Sequence, residues 1–175
     1  MTNLFTIGYE GAQLADFIRS LVSSGVDTLV DVRELPLSRR KGFSKSLLSA
    51  ALKKHGICYV HDRALGAPKP IRNRLRETGD YVTYFRQFNA YLKTQTAAIE
   101  KLAQDYAESA VALMCFEKNP AECHRSAVAR ELARIVEAVA EHVRRDRDGE
   151  PRGDGEQHRR SRWFRGDRGR FRPGR

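Results

Sequence analysis

Apolar residues in the first 115 positions form four short runs of five to seven residues, rich in β-branched and aromatic side chains. Runs of this length that are bounded by turn residues are typical of strands. The second run, DTLVDV, is apolar at successive positions, which predicts a strand buried on both faces, as in a parallel sheet. The predicted strands cover residues 4–9, 27–32, 57–61 and 109–115.

Between and after these runs, apolar residues recur at steps of three and four, which predicts amphipathic helices. Gly25 and Gly56 are placed to end the first two helices, and Ser44 is placed to cap the start of the second. The basic stretch at residues 62–80 is predicted to be a loop. The predicted helices cover residues 14–22, 45–56, 84–106 and 128–143.

The alternation of strands and helices predicts an α/β fold with right-handed crossovers. We expect a single compact Rossmann-like domain at residues 1–143, built on a mostly parallel sheet of about four strands. Residues 144–175 lose the apolar periodicity and hold twelve arginines against six acidic residues. This Arg/Gly-rich segment has too little apolar surface to form a core, so it is predicted to be a disordered basic tail.

The formal net charge of +10 is concentrated in this tail, which contributes +6. Arginines interleaved with aromatic rings can neutralise phosphates and stack on bases, so the tail is a candidate nucleic-acid-binding segment. The tail residues proposed for this contact are Arg160, Arg162, Trp163, Phe164, Arg165, Arg168 and Arg170.

Cysteine usage and hydropathy predict the cellular compartment of the protein. Three cysteines at irregular positions are atypical of a secreted disulfide framework. The first residues lack the basic and apolar regions of a signal peptide, and no stretch approaches the roughly 18 apolar residues of a membrane span. We therefore expect a cytoplasmic protein with reduced thiols and no membrane partner.

Reactive side chains follow each predicted strand. In open α/β sheets, ligands bind outside the carboxyl ends of the strands, and these ends meet at one edge when the strands are parallel. The sequence therefore predicts a functional site at this edge. The residues delivered to it are Tyr9 and Glu10, Asp31 and Arg33, His61, and Cys115 and Glu117.

The segment MCFEKNPAECHR, residues 114–125, combines metal-ligating, nucleophilic and cationic side chains. Zinc commonly takes four ligands from short Cys-x2-4-Cys pairs. Cys115 and Cys123 are separated by seven residues without a second pair, so we expect no stoichiometric metal. A standard cysteine phosphatase is disfavoured at Cys115, because the intervening acidic Glu117 raises a thiol pKa and Arg125 lies ten residues further on.

The same segment is also consistent with an anion site. Free backbone N–H groups at the start of the last helix, near residues 123–126, favour negative charge. Arg125 and Arg33 would add bidentate contacts to a phosphate. The alternative is a simple helix cap with Arg125 paired to Glu117 or Asp31, and the sequence leaves both interpretations open.

Four motifs occur in a fixed order: TIGYEG (6–11), LVDVRELPLSR (29–39), GICYV followed by LG (56–66), and ALMCFEKNPAECHR (112–125). Together they resemble the domain-of-unknown-function family 488 over about residues 4–140. The resemblance implies a compact Rossmann-like α/β fold and leaves the reaction open. One position departs, because Ala67 stands where the family usually has a second glycine. The motif positions that the resemblance implies here are Gly8, Asp31, Arg33, Pro36, Ser38, Arg39, Cys115, Glu117, Cys123, His124 and Arg125.

The favoured hypothesis is an enzyme acting on a phosphorylated nucleotide or nucleic-acid substrate. In it, Cys115 is the nucleophile, while Glu117 and Asp31 supply acid–base chemistry. The proposed phosphate-binding residues are Arg33, Arg39, Arg125 and His124. The alternatives are a non-catalytic nucleic-acid-binding module that uses the tail and the basic stretch, and a Cys/His metal or thiol-redox domain. The sequence identifies no cofactor.

Overall fold

The computed structural model describes residues 3–147, with side chains described for residues 3–137. Within this range, four strands form one sheet in the order β1-β4-β2-β3, and each neighbouring pair is parallel. The predicted α/β class and the parallel sheet of four strands are therefore confirmed. The strands are β1 (Asn3–Gly8), β2 (Thr28–Asp31), β3 (Cys58–His61) and β4 (Ala110–Cys115).

Helices cover both faces of the sheet, as the continuous apolar character of the central strands requires. Short 3-10 turns at Arg63–Leu65 and Pro120–Glu122 complete the regular structure of the described residues. The α-helices are α1 (Leu14–Ser23), α2 (Lys45–Lys53), α3 (Lys69–Thr78), α4 (Tyr81–Lys93), α5 (Thr96–Asp105) and α6 (Arg125–Arg147).

Successive residues of β4 point to opposite faces of the sheet and enter different cores. Leu113 packs in the core formed with α4, α5 and α6, which includes Phe88 and Leu132. Met114 packs in the core formed with α1 and α2, which includes Leu21 and Leu48. All six residues of β4 are buried, so this strand is the centre of an α/β/α sandwich.

The prediction of a loop at residues 62–80 is wrong, because Lys69–Thr78 form α3. No residue of α3 is fully buried, and its basic composition hid the helical signal. Ile71 and Leu75 nevertheless lie four positions apart and pack against the core from one face. Gly79, with φ of 65°, then ends the helix in the left-handed conformation.

The prediction of one helix over residues 84–106 is also wrong, because the chain breaks at Thr94 and Gln95 between α4 and α5. The hydroxyl of Thr94 donates to the carbonyl of Tyr91 at 2.7 Å and competes with the helical bonding pattern. The apolar periodicity survives the break, which explains why the pattern alone predicted a continuous helix.

The last helix, α6, continues to Arg147, four residues beyond the domain boundary predicted at residue 143. The tail residues proposed to bind nucleic acid, from Arg160 to Arg170, lie outside the described residues, and their role stays a prediction. In residues 3–147 no helix combines the length and the apolar character needed to cross a membrane.

Candidate functional site

The strand register brings the polar residues of separate motifs to one edge of the sheet. Gly8, at the end of β1, pairs with Cys115 at the end of β4. Asp31, at the end of β2, lies between Met114 of β4 and His61 of β3. All four carboxyl ends therefore lie on the same edge, where ligands of α/β proteins bind.

Gly8 allows the segment after β4 to cross directly over the end of β1. A Cβ atom at this position would lie 1.9 Å from the carbonyl oxygen of Glu117. Real Cβ atoms never approach backbone oxygen this closely, so only glycine fits without displacing residues 117–118. The glycine of the TIGYEG motif thus sets the position of Glu117.

Asp31 is fully buried and saturated with hydrogen bonds. Its Oδ1 accepts from Nε and from the backbone N–H of Arg33 at 2.8 and 3.1 Å. Its Oδ2 accepts from Nη2 of Arg33 at 2.5 Å and from the hydroxyl of Tyr59 at 2.6 Å. A carboxylate held in this way has no lone pair facing a substrate, so the structure does not place Asp31 among groups available for acid–base chemistry.

Arg33 is committed to the same network. Beyond Asp31, it donates from Nη1 to the hydroxyl of Tyr9 at 2.8 Å and from Nη2 to the carbonyl of Phe43 at 3.0 Å. Burial alone would lower the pKa of Arg33, but the bonded carboxylate of Asp31 outweighs it, so the pKa is raised. Four of the five guanidinium N–H groups are thereby occupied, which leaves one on Nη1.

Arg125, predicted to bind phosphate, is bonded to the protein backbone and does not line the cavity. Only 1% of its surface is exposed, and its guanidinium donates to the carbonyls of Glu117 and Lys118. Its Nε is buried and has no hydrogen-bond partner within residues 3–137. The structure therefore places Arg125 as a brace for the segment after β4.

His124 is oriented by a backbone carbonyl. The oxygen of Val32 can only accept, so Nε2 of His124 donates to it at 2.8 Å. The other ring nitrogen, Nδ1, faces the sulfur atoms of Cys115 and Cys123 at 3.8 and 4.0 Å. Burial lowers the pKa of His124, but the contact with Cys123 and the bond to Val32 raise it overall. Phe88 packs its ring edge-to-face on the imidazole, with centroids 5.1 Å apart.

The thiols at this edge are reduced and buried. Cys115 and Cys123 are 4% and 0% exposed, whereas Cys58 lies exposed on β3. Burial strongly raises the pKa of Cys123, and a hydrogen bond with Cys115 adds to this effect. A buried thiol with a raised pKa stays protonated at neutral pH and is a poor nucleophile.

Glu117 is half-buried, and its Oε2 is a buried atom that has no hydrogen-bond partner among the described residues. Burial by itself raises the pKa of Glu117. Hydrogen bonding from the Cys123 thiol, from its own backbone N–H and from the Cys115 thiol outweighs burial, so the pKa lies below the usual range. The carboxylate is therefore ionised near neutral pH.

A cavity of about 490 Å³ opens at this edge of the sheet, with Cys115, Glu117 and His124 in its lining. This volume is in the range of sites for small molecules. Three exposed apolar side chains, Leu35, Leu37 and Phe116, lie on its wall. Apolar side chains exposed together in a cavity indicate a partly apolar ligand.

Arginines dominate the charge of this cavity, since five arginines and two glutamates line it. Arg40 is anchored to the carbonyl of Ala12 at 2.7 Å, and Arg72 is anchored to Glu34 in an ion pair. Arg39 and Arg76 are exposed, and within the described residues neither guanidinium has a protein partner. These two arginines are the cations available to an anionic ligand.

The loop after β2 carries Arg39 and Arg40 to this position. Ser44 stands at the N-cap of α2, as predicted, but its hydroxyl makes no capping bond. Instead it accepts from the N–H of Ser38 and donates to the carbonyl of Ser38, both at 3.2 Å. The serine therefore closes the loop.

The structure thus divides the residues predicted for this site. Cys115, Glu117, His124, Arg33 and Arg39 line the cavity, while Asp31 and Arg125 do not. Sequence reasoning missed the cavity roles of Arg40 and Phe116, for which the sequence holds no periodic signal. Arg72 and Arg76 had been assigned to a basic loop, although their four-residue spacing is typical of one helix face.

The model of a protein family described as Domain of unknown function DUF488 matches residues 13–132. The matched range contains both halves of the site, from the β2 network to the Cys115–Arg125 segment. No curated protein and no solved structure matches the chain significantly.

Proposed function

The chain belongs to the DUF488 family, and from that premise and the cavity at its sheet edge we propose that it is an enzyme acting on a small phosphorylated substrate of nucleotide size. The observation that carries the proposal is the meeting of unpaired arginines, exposed apolar side chains and an ionised carboxylate in one cavity of about 490 Å³.

The phosphate is held at the rim by Arg39 and Arg76. Among the described residues neither guanidinium has a protein partner, so no ion pair described in the structure has to break when an anion binds. Arg72 donates hydrogen bonds to Glu34 and to the carbonyl of Ala67, and these two bonds fix the orientation of its guanidinium. Guanidiniums bind phosphate oxygens in pairs of parallel hydrogen bonds, and such charged bonds are about twice as strong as neutral ones.

The less polar part of the substrate packs on the wall of the cavity. Phe116 is 41% exposed and lines the cavity, as do the apolar Leu35 and Leu37. An aromatic base can stack on such a ring, with a contribution of about 1–3 kcal/mol. This favours a nucleotide over a phosphosugar.

Glu117 is the candidate general base, because its ionised carboxylate lies on the cavity lining beside Cys115 and His124. We assign no such role to Asp31, the other carboxylate considered, because four hydrogen bonds occupy its oxygens. The chemistry is therefore assigned to the segment after β4 and the phosphate binding to the loop after β2 and to α3.

The rim is tested with Arg39→Gln and Arg76→Gln against the control Arg74→Gln. Arg74 lies on the same helix as Arg76, is exposed, and is not part of the cavity lining. All three variants remove one positive charge. Binding of nucleoside mono-, di- and triphosphates is measured by calorimetry, with inorganic phosphate as competitor.

Each rim substitution should weaken nucleotide binding by about 10- to 100-fold, the effect of losing a charged hydrogen bond of about 1.5–3 kcal/mol. Arg74→Gln should bind like the unsubstituted protein. The proposal fails if no nucleotide binds, or if Arg74→Gln weakens binding as much as the rim variants do. Mass spectrometry of the incubated nucleotides then tests turnover, which Glu117→Gln should abolish while binding persists.

A further inference from the structure

Three side chains with metal-ligating atoms converge beneath the cavity. The two sulfur atoms of Cys115 and Cys123 and one nitrogen of His124 all lie within 4.8 Å of one another. The nitrogen–sulfur distances are 3.8 and 4.0 Å. In a tetrahedral zinc site, bond lengths of about 2.3 Å to sulfur and about 2.0–2.1 Å to nitrogen place these atoms about 3.6 Å apart. The ligand atoms therefore stand at nearly the separation that one bound ion requires.

The orientation of His124 fits a ligand. Metal-binding histidines almost always donate their second ring N–H to a carboxylate or a backbone carbonyl, which fixes the ring and directs the other nitrogen at the metal. His124 donates from Nε2 to the carbonyl of Val32 at 2.8 Å and turns Nδ1 to the two sulfurs. Phe88 holds the ring from the side.

Glu117 is not one of these ligands, because among the described residues the atoms that lie within 4.8 Å of one another belong to Cys115, Cys123 and His124. Two sulfurs and one nitrogen leave the fourth position of a tetrahedral ion open, as in zinc sites with three protein ligands.

The chain path explains how residues so far apart in sequence meet. Asn119 accepts from the N–H of Ala121 at 3.0 Å and starts the 3-10 turn at Pro120–Glu122. This turn reverses the chain, so Cys123 returns to Cys115 before α6 begins. The sequence-based expectation of no stoichiometric metal rested on the seven-residue spacing, and this turn removes that objection.

We propose that Cys115, Cys123 and His124 bind one divalent thiophilic cation, with zinc as the ion best suited to this mixture of sulfur and nitrogen. The ion replaces the protons of the two buried thiols. Because Cys115 and His124 also line the cavity, the ion lies at its floor.

The test uses the full-length, untagged protein, purified without chelators. Mass spectrometry should find one zinc per chain. After chelation and reduction, one equivalent of Co²⁺ should restore binding and give the charge-transfer and visible absorption bands of a tetrahedral cobalt site with thiolate ligands. Neither measurement requires a substitution that risks unfolding the protein.

Variants then assign the ligands. Cys115→Ser should lose the stoichiometric metal and the cobalt bands, while Cys58→Ser should keep both, since Cys58 is the exposed cysteine on β3.

Other outcomes would overturn the site as a whole. The reduced chain failing to bind Zn²⁺ or Co²⁺, or losing them equally in Cys58→Ser, contradicts it. Recovery of a Cys115–Cys123 disulfide without metal uptake after reduction would identify a redox pair instead. Metal binding is measured without any phosphate, and Arg39→Gln should retain the ion, so this inference and the proposed substrate stand or fall separately.

Discussion

Replacing Asp31 by asparagine tests whether the hydrogen-bond network at the end of β2 stabilises the fold or takes part in catalysis. The substitution keeps the size of the side chain but turns one acceptor oxygen into an NH₂ group. Both oxygens of Asp31 now accept from two donors each, supplied by Arg33 and Tyr59. The new NH₂ group would face donors, and the buried guanidinium would lose its counter-charge.

The cost is estimated from the burial of the pair. The Asp31 side chain is fully buried and the Arg33 side chain is 7% exposed. Removing one partner of a buried ion pair destabilises a protein by about 3–5 kcal/mol, because the other charge stays in a poorly solvated site. Domains are stable by only about 5–15 kcal/mol, so the loss is a large share of the total.

Urea unfolding provides the measurement. The midpoint of the Asp31→Asn variant should fall by roughly 2 M at an unchanged m-value. Asp105→Asn is the matched control, since its ion pair with Lys101 is exposed and its loss should leave the midpoint almost unchanged. Replacing both Asp31 and Arg33 by apolar residues, as in Asp31→Leu with Arg33→Met, should recover part of the stability.

A small loss of stability in Asp31→Asn would contradict this expectation. A loss below about 1 kcal/mol in Asp31→Asn, equal to that of the exposed control, would mean that the network adds little to folding. If such a stable variant also lost turnover of a nucleotide, Asp31 would return to the catalytic residues.

Three further predictions address other parts of the chain. Gly8→Ala should lower the melting temperature and, by displacing Glu117, reduce nucleotide turnover; an unchanged melt would contradict the close approach of the two segments. Asp80 accepts from Thr83 at the start of α4, which lowers the pKa of Asp80. The contribution of Asp80 to the free energy of unfolding should therefore be present above its ordinary pKa and vanish as pH falls through the lowered pKa. Asp80→Asn should be less stable than the unsubstituted protein at pH 7 and equally stable in strong acid. Truncation after residue 143 should change thermal stability little and sharply reduce salt-sensitive retention on RNA; equal retention would exclude the tail as the binding segment.

The sequence was informative about the fold wherever burial imposes a pattern. DTLVDV predicted a strand buried on both faces, and all four residues of β2 are buried. The pattern failed at α3, whose stability comes from docking a few half-buried side chains and from Gly79 at its end. A helix that buries no residue fully leaves too weak an apolar period to outweigh a basic composition.

The position of the candidate site was predictable from the sequence, but the role of each residue in it was not. Parallel strands send their ends to one edge, so Asp31 and Cys115 were expected near each other. Which arginine is free was not predictable, because the partners of Arg33 and Arg125 include the backbone carbonyls of Phe43 and Lys118. Every residue has a backbone carbonyl, so the sequence does not indicate which carbonyl accepts a hydrogen bond from a buried guanidinium.

Backbone hydrogen bonds also position the proposed metal ligands. His124 is directed at the two sulfurs by the carbonyl of Val32, and Cys123 is returned to Cys115 by a turn that begins at Asn119. A ligand spacing of seven residues looks unfavourable only if the chain between is treated as a generic loop. Backbone hydrogen bonds convert it into a fixed reversal, so the chemistry of this segment depends on main-chain geometry as much as on its cysteines.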